Sequence, residues 1–227
     1  MSFLLSIPGA IAQGILWSVM TLGVYLTFRL LNFADMTVDG SFATGGAVAA
    51  VAVTQGMNPL LALALALLAG AVCGAATGFL NTALGIPALL AGILTEIALY
   101  SVNIRILGGP NVPLLNVNTI FTQVASALGC SPAAANMMVG LLFAAAAVAG
   151  MYWFFGTEIG CAIRATGDNE HMVRAFGVNT KAMTMVGLIL SNALVALSGG
   201  LVAQSQGYAD ASMGIGTIVI GLASLII

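Results

Sequence analysis

NPLLALALALLAGAVCGAATGFLNTA, residues 58–83, carries no charged side chain. A membrane-crossing α-helix needs about 20 consecutive, mostly apolar residues, so this stretch is long enough to cross a bilayer. Asn58 is a favourable N-cap, and Pro59 suits the first helical position because no partner is needed there for an N–H. The stretch therefore predicts a transmembrane helix from Pro59 to about Ala83.

Three glycines of this helix, Gly70, Gly74 and Gly78, recur at four-residue spacing. Side chains four residues apart lie on one face of a helix, and a row of small residues lets a second helix approach closely. We therefore predict that these three glycines pack against another helix of the same bundle.

Charge is scarce and unevenly distributed along the 227 residues. Hydrophobic residues make up 60% of the chain and charged residues only 5%, which is typical of membrane proteins and excludes an ordinary soluble domain. Residues 40–95 and 106–157 contain no charged side chain, whereas six charged residues and the single histidine lie within residues 158–181. The net charge of −2 gives no support for a nucleic-acid partner.

Hydropathy and turn signals predict an all-α, polytopic transmembrane helical bundle with broken or short helices, forming one domain over residues 1–227. Further spans are expected near residues 4–31, 88–107, 132–155 and 182–203. A polar break over residues 32–41 precedes a shorter apolar helix over 42–54, and residues 117–128 have the pattern of an interfacial helix. The final apolar segment, 212–227, is too short to cross, so we expect a C-terminally truncated chain or a half-helix.

The basic residues predict the orientation. Three of the five, Arg164, Arg174 and Lys181, follow the span that ends near Phe155. The positive-inside rule places this segment in the cytoplasm, so the loop around Pro110 and residues 204–210 are expected outside. The side on which the N-terminus lies stays open.

Residues 157–181 contain the most specific local pattern. Asp168 is a suitable N-cap and Gly177 a suitable C′ residue, which predicts a helix of about two turns over residues 169–176. Met172 and Phe176 would give that helix an apolar face. Such a helix fits the groove of a cytoplasmic partner, although an ordinary solvated turn explains the same residues equally well.

The run G-x-x-x-R-A-x-G-x-N, residues 160–169, resembles the coupling loop of the permeases that serve bacterial branched-chain amino acid, ribose and related ATP-driven importers. Two weaker similarities are the Leu-Asn-Phe-Ala run at 31–34 leading to Asp-Gly-Ser at 39–41, and the glycine-bearing segment 216–221. The resemblance implies a short cytoplasmic coupling helix within residues 157–181. Its implied coupling residues are Gly160, Arg164, Ala165, Gly167, Asp168, Asn169, Met172, Arg174, Phe176 and Gly177.

The same resemblance implies partners. In such importers the permease dimerises, and two cytoplasmic ATPase subunits bind the coupling helices. An extracytoplasmic binding protein delivers the solute. For this chain we expect a homodimer and an amino acid as the solute. The implied location is the bacterial cytoplasmic (inner) membrane. Members of the family are usually longer, which agrees with a truncated chain. The sequence contains no G-x-x-x-x-G-K-[ST] phosphate loop. We therefore expect a partner subunit to bind the ATP, and we expect this chain to hold no cofactor.

Polar residues in or beside apolar segments are candidates for the solute path. Glu96 lies inside a predicted span, where an acid suggests a functional role, although it could equally hydrogen-bond inside the bundle. The pattern Asp39-x-Ser41, with a glycine four residues later, recurs as Asp210-x-Ser212, again with a glycine four residues later. Such a match could mark two repeats of a transporter, whose broken helices lie at matching positions. Alternatively, these aspartates cap helices at the membrane surface. The candidate path residues are Asp35, Thr37, Asp39, Ser41, Glu96, Asp210 and Ser212.

Two other functions would require residues that the sequence largely lacks. A stand-alone secondary transporter or channel would need ion-coupling acids inside the membrane, and Glu96 is the one clear example. A membrane-embedded enzyme would need a metal cluster or a nucleophile–base pair, and His171 has no second ligand at metal spacing. We therefore expect no catalytic residues, no metal site and a transport subunit that is not an enzyme.

Overall fold

A computed structural model describes residues 2–115, 117–129 and 131–226. Within these residues the chain forms ten α-helices and one two-stranded sheet. The helices are α1 (Ser2–Tyr25, continued by a π-helical turn, Leu26–Leu30), α2 (Thr37–Thr54), α3 (Pro59–Thr82), α4 (Ala88–Leu107), α5 (Ile120–Leu128), α6 (Pro132–Phe155), α7 (Glu158–Asp168), α8 (Glu170–Ala175), α9 (Thr180–Gln206) and α10 (Thr217–Ile226). The strands are β1 (Asn111–Pro113) and β2 (Tyr208–Asp210).

Five helices are long and apolar enough to cross a membrane, counted over the described residues. They are α1 with its π-helical turn, α3, α4, α6 and α9, which confirms the predicted spans to within a few residues. The helical membrane fold predicted from composition is therefore confirmed.

Helix α9 is the central helix, with α2 and α3 packed along it at very short range. A Cβ at Gly70 or Gly74 of α3 would clash with backbone carbonyls of α9, and a Cβ at Gly199 of α9 would clash with the carbonyl of Phe42. At Gly78 the neighbouring atoms lie at ordinary contact distance. Small residues therefore set the helix spacing here, because van der Waals packing replaces the hydrophobic effect inside a bilayer.

The prediction of a polar break over residues 32–41 is wrong for residues 37–41, which are helical. Helix α2 already begins at Thr37. Asn32 has a positive φ of 52°, a conformation that asparagine tolerates better than most residues, and it reverses the chain after α1. The carboxylate of Asp35 then accepts from the backbone N–H of Thr37 at 2.9 Å, which satisfies a donor in the first turn of α2.

The ends of α4 and α9 meet in an element that the sequence analysis did not predict. Strands β1 and β2 pair antiparallel, with Asn111 opposite Asp210 and Pro113 opposite Tyr208. Helix α5 lies at the same end and begins after Thr119, whose side chain accepts from the N–H of Thr122. A helix was predicted over residues 117–128, and the structure has one from Ile120 to Leu128. We call this end of the bundle the sheet end and the opposite end the α8 end.

Candidate functional site

Helix α8 is a short turn whose conformation is fixed at both ends. The side chain of Asn169 accepts from the N–H of Met172 at 3.0 Å, so Asn169 is the N-cap. The prediction that Asp168 caps this helix is wrong, because Asp168 is the last residue of α7. Gly177, with φ of +83°, ends the turn in a conformation that favours glycine.

Side-chain bonds tie α8 to the start of α9. Glu170 and Arg174 form an ion pair along α8. The hydroxyl of Thr180 donates to Glu170 at 3.0 Å and accepts from Arg174 at 3.2 Å. These side-chain bonds therefore connect α8 to the first residue of the central helix α9.

The exposed surface of α8 includes two large apolar side chains beside the Glu170–Arg174 ion pair. Phe176 is 79% exposed and Met172 is 50% exposed, whereas Val173 is buried against the bundle. An exposed phenylalanine and methionine on one short turn form a surface that a protein groove would bury. His171 also lies exposed on this turn.

Helix α7 was not predicted, and two glycines of the recognised run fix its position. A Cβ at Gly160 would clash with the carbonyl oxygen of Phe154, and a Cβ at Gly167 would clash with that of Leu30. The two glycines therefore let α7 lie directly on the ends of α6 and α1, and they are buried or half-buried. Arg164 lies on the exposed side of α7, with Ala165 half-buried beside it.

A second group of polar residues lies inside the bundle, along the first turns of α2. The amide of Asn192 on α9 donates to the Asp35 carboxylate at 2.8 Å and accepts from the Ser41 hydroxyl at 2.7 Å. The hydroxyls of Thr37 and Thr77 lie 2.6 Å apart, which joins α2 to α3. These side chains are fully buried, so Asp35, Thr37 and Ser41 hold the bundle together and do not line an opening.

Asp39 has a different role, because it caps a helix far away in the sequence. Its carboxylate accepts from the backbone N–H groups of Gly216 and Ile218, each at 2.8 Å, and from the hydroxyl of Thr217. These donors form the first turn of α10, where a helix has unpaired N–H groups and a partial positive charge. Asp39 therefore anchors α10 to α2.

Asp39 and Glu96 face the same cavity, which has a volume of about 300 Å³. Glu96 is half-buried and makes no hydrogen bond or ion pair to another described side chain. Deeper in the wall, the amide of Asn103 accepts from Thr44 at 2.8 Å and donates to the carbonyl of Gly40. The remaining wall is formed by Ala43, Ile97, Tyr100, Ser101, Ala211, Gly214 and Ile215.

The structure does not bring Asp210 and Ser212 into this cavity. Asp210 ends strand β2, and its carboxylate accepts from the N–H of Ser212 at 2.7 Å. The hypothesis that Asp39-x-Ser41 and Asp210-x-Ser212 are repeats is contradicted, because the first segment is helical and the second is a strand followed by turns.

Two polar residues of the interior were missed by sequence reasoning. Asn103 and Asn192 are single amides within apolar spans, and both are fully buried. Intramembrane polar residues are costly and face the interior, which is the signal that could have identified them. Among the described residues, no group of three or more potential ligands lies close enough to hold a metal ion.

Comparison with known proteins shows the family to which the chain belongs. A profile described as "Branched-chain amino acid transport system / permease component" matches residues 6–227. The chain belongs to this permease family. The resemblance drawn from the run over residues 160–169 is thereby confirmed, and the permease is a multi-pass protein of a bacterial inner membrane.

Curated relatives of the permease are named as transport proteins. It is 37% identical over 191 residues to the tyrosine transport system permease protein of Clostridioides difficile, covering 84% of this chain and 62% of that protein. It is 29% identical over 187 residues to the ribose import permease protein RbsC of Escherichia coli, covering 79% and 55% of the two chains. No solved structure gives a significant match.

A third relative is the inner membrane ABC transporter permease protein YjfF of Escherichia coli, which is 28% identical over 200 residues. That match covers 84% of this chain and 60% of the relative. The chain thus spans about three fifths of the length of the curated relatives it matches.

Proposed function

We propose that the permease is the membrane-spanning subunit of an ATP-binding-cassette importer for an amino acid, which works by alternating access. Separate ATPase subunits would supply the energy, and an extracytoplasmic binding protein would deliver the solute. The observation that carries the proposal is the outward face of α8. It presents the exposed side chains of Met172 and Phe176, and hydrogen bonds to Thr180 connect it to the central helix α9.

The contact with the ATPase is proposed at Met172 and Phe176. A partner's groove would bury both side chains, and burial of a large apolar side chain contributes about 1.5–3 kcal/mol. Motion of α8 would then act on α9 through Thr180 and on α6 and α1 through α7. Residues 157–181 are the proposed coupling loop within one permease domain.

The solute path is proposed at the cavity lined by Asp39 and Glu96. An acid in a membrane span faces the protein interior or water, because its exposure to lipid is costly. This cavity opens beside Ile97 and Tyr100 of α4, which are 64% and 49% exposed. A second permease copy covering this face of α4 would keep Glu96 out of lipid, which supports a homodimer with the path between its subunits.

An amino acid is proposed as the solute on the strength of similarity. The permease is more similar to the tyrosine permease, at 37% identity, than to the ribose permease, at 29%. A stand-alone secondary transporter or channel is the alternative, and Glu96 in α4 is the observation in its favour.

Co-purification with the ATPase tests the proposal. Phe176→Ala removes a side chain that is 79% exposed at the end of α8 and should weaken ATPase binding by about tenfold or more, because the lost burial contributes more than about 1.4 kcal/mol. Leu115→Ala is the matched control, because Leu115 is 77% exposed but lies near the sheet end. Equal ATPase binding by the wild type and Phe176→Ala would contradict the proposed contact.

A further inference from the structure

A long apolar groove runs along α6 on the side that faces α9, and Leu67 of α3 and Leu26 of the π-helical turn complete its wall. It encloses about 500 Å³, and all its lining residues are aliphatic, aromatic, methionine or glycine. Its walls extend along α6 from Phe143 to Phe155, which corresponds to about 18 Å at 1.5 Å per residue. That length is close to half of the roughly 30 Å hydrocarbon core, the depth of a single leaflet. We call this cavity the α6 groove.

At the α8 end the α6 groove meets a second cavity of about 700 Å³. Met151, Trp153 and Phe155 line both cavities, so the two are adjoining. The second cavity also contains Tyr25, Tyr152, Thr157 and Arg164, and we call it the Arg164 pocket.

The Arg164 pocket has the chemistry of the membrane interface. Tyr152 is 85% exposed and Trp153 is 75% exposed at the end of a span, where such amphipathic rings lie at the level of lipid headgroups. Arg164 is exposed and forms no ion pair with another described residue. Asp168, one turn further along α7, is the nearest acid in sequence and does not come within ion-pair distance.

We propose that the Arg164 pocket and the α6 groove together bind one anionic phospholipid. Its phosphate lies on Arg164, whose planar guanidinium can hold two phosphate oxygens, and one acyl chain fills the α6 groove. Basic pockets beside membrane helices attract anionic headgroups, and the apolar groove adds the burial of a chain. Because Arg164 is on α7, the bound lipid would hold the helix that precedes α8 at the bilayer surface.

The experiment uses the intrinsic fluorescence of Trp153. A Trp17→Phe background leaves Trp153 as the reporter and keeps an aromatic ring against Phe42. The purified permease is reconstituted at increasing mole fractions of brominated phosphatidylglycerol or, in a parallel series, of brominated phosphatidylcholine. The anionic lipid should bind about fivefold more tightly, judged from the lipid fraction that gives half of the maximal quenching.

Two substitutions separate the headgroup from the chain. Arg164→Gln should abolish the preference for the anionic lipid, whereas Lys181→Gln, which removes a base outside the pocket, should preserve it. Gly150→Phe places a ring in the α6 groove, where a Cβ meets open space, and should reduce quenching by both lipids. Gly14→Phe, at another open position, is its control and should change neither.

Three results would overturn the proposal. One is equal quenching by the two lipids in the parent protein. Another is full competition by inorganic phosphate at millimolar concentration, which would indicate an anion site without a role for the chain. The third is a lipid preference unaffected by both Arg164→Gln and Gly150→Phe, which would mean that the groove is occupied by something other than lipid. If the Trp17→Phe background fails to fold, lipid retained by the unmodified permease is counted by native mass spectrometry with the same variants.

Discussion

The carboxylate of Asp39 holds the first turn of α10 from a position 177 residues earlier in the chain. At the scale of the residue, these bonds link the cavity proposed for the solute to α10, because Asp39 also lines that cavity. Hydrogen bonds to a charged group contribute about 1.5–3 kcal/mol each, so the cap stabilises α10 substantially.

Asp39→Asn should therefore loosen α10. The neutral amide keeps the size of the side chain but loses the charge-assisted bonds to Gly216 and Ile218, so hydrogen exchange of those two amides should accelerate about tenfold. Asp210→Asn is the control, because the Asp210 carboxylate bonds to Ser212 and to no other described residue. Unchanged exchange of α10 in Asp39→Asn would show that the cap does not hold the helix.

At this scale the sequence identified candidate polar residues but not the residues to which they hydrogen-bond. Glu96 is a candidate because an acid inside a span is costly, whereas Asp35 and Asp39 are candidates because of a possible repeat. Whether each one faces a cavity or a buried amide depends on Asn192, Gly216 and the packing of α4, and these lie far away in sequence. Local patterns contain no information on such distant pairs.

At the scale of the element, α7 lies directly on the ends of α6 and α1 because Gly160 and Gly167 have no side chain at these contacts. Sequence reasoning found α8 from its turn signals but missed α7. The buried residues of α7, Gly160, Ile163 and Thr166, recur every three residues, but only one of them is a large apolar residue. An apolar periodicity could not reveal a helix that packs through glycine.

The same limitation explains the wrong start of α2. Residues 37–41 read Thr-Val-Asp-Gly-Ser, and most of these residue types have low helix propensity. They are helical because Asp35 caps the N–H of Thr37 and because Ser41 and Thr37 find buried partners on α9 and α3. Tertiary contacts override propensity here, whereas the long spans were predictable from length and hydropathy alone.

Gly167→Ala should detach α7 from the end of α1. The added methyl group would meet the carbonyl oxygen of Leu30, and overpacking of this kind costs about 1–3 kcal/mol. We expect faster proteolysis within residues 157–181 and weaker ATPase binding, measured on the purified permease. Gly150→Ala is the control because its Cβ enters open space. Equal proteolysis of the two variants would contradict the seating of α7.

At the scale of the whole molecule, the account requires α7 and α8 to lie in the cytoplasm. Cys161 on α7 is exposed and Cys73 is buried, so the native Cys161 can report the side. In a Cys130→Ser background, which removes a residue outside the described ranges, a membrane-impermeant maleimide should label Cys161 in inside-out vesicles and not in intact spheroplasts. Labelling of spheroplasts would place the α8 end outside and reverse the orientation.

Energy supplied by a separate ATPase distinguishes the proposed permease from a stand-alone transporter, and uptake by proteoliposomes measures this difference. The permease is reconstituted with or without its ATPase, and the binding protein and solute are supplied on one side. We predict accumulation only when the ATPase and ATP are both present, and its loss in Phe176→Ala. Accumulation by the permease alone, driven by an ion gradient without ATP, would contradict the account.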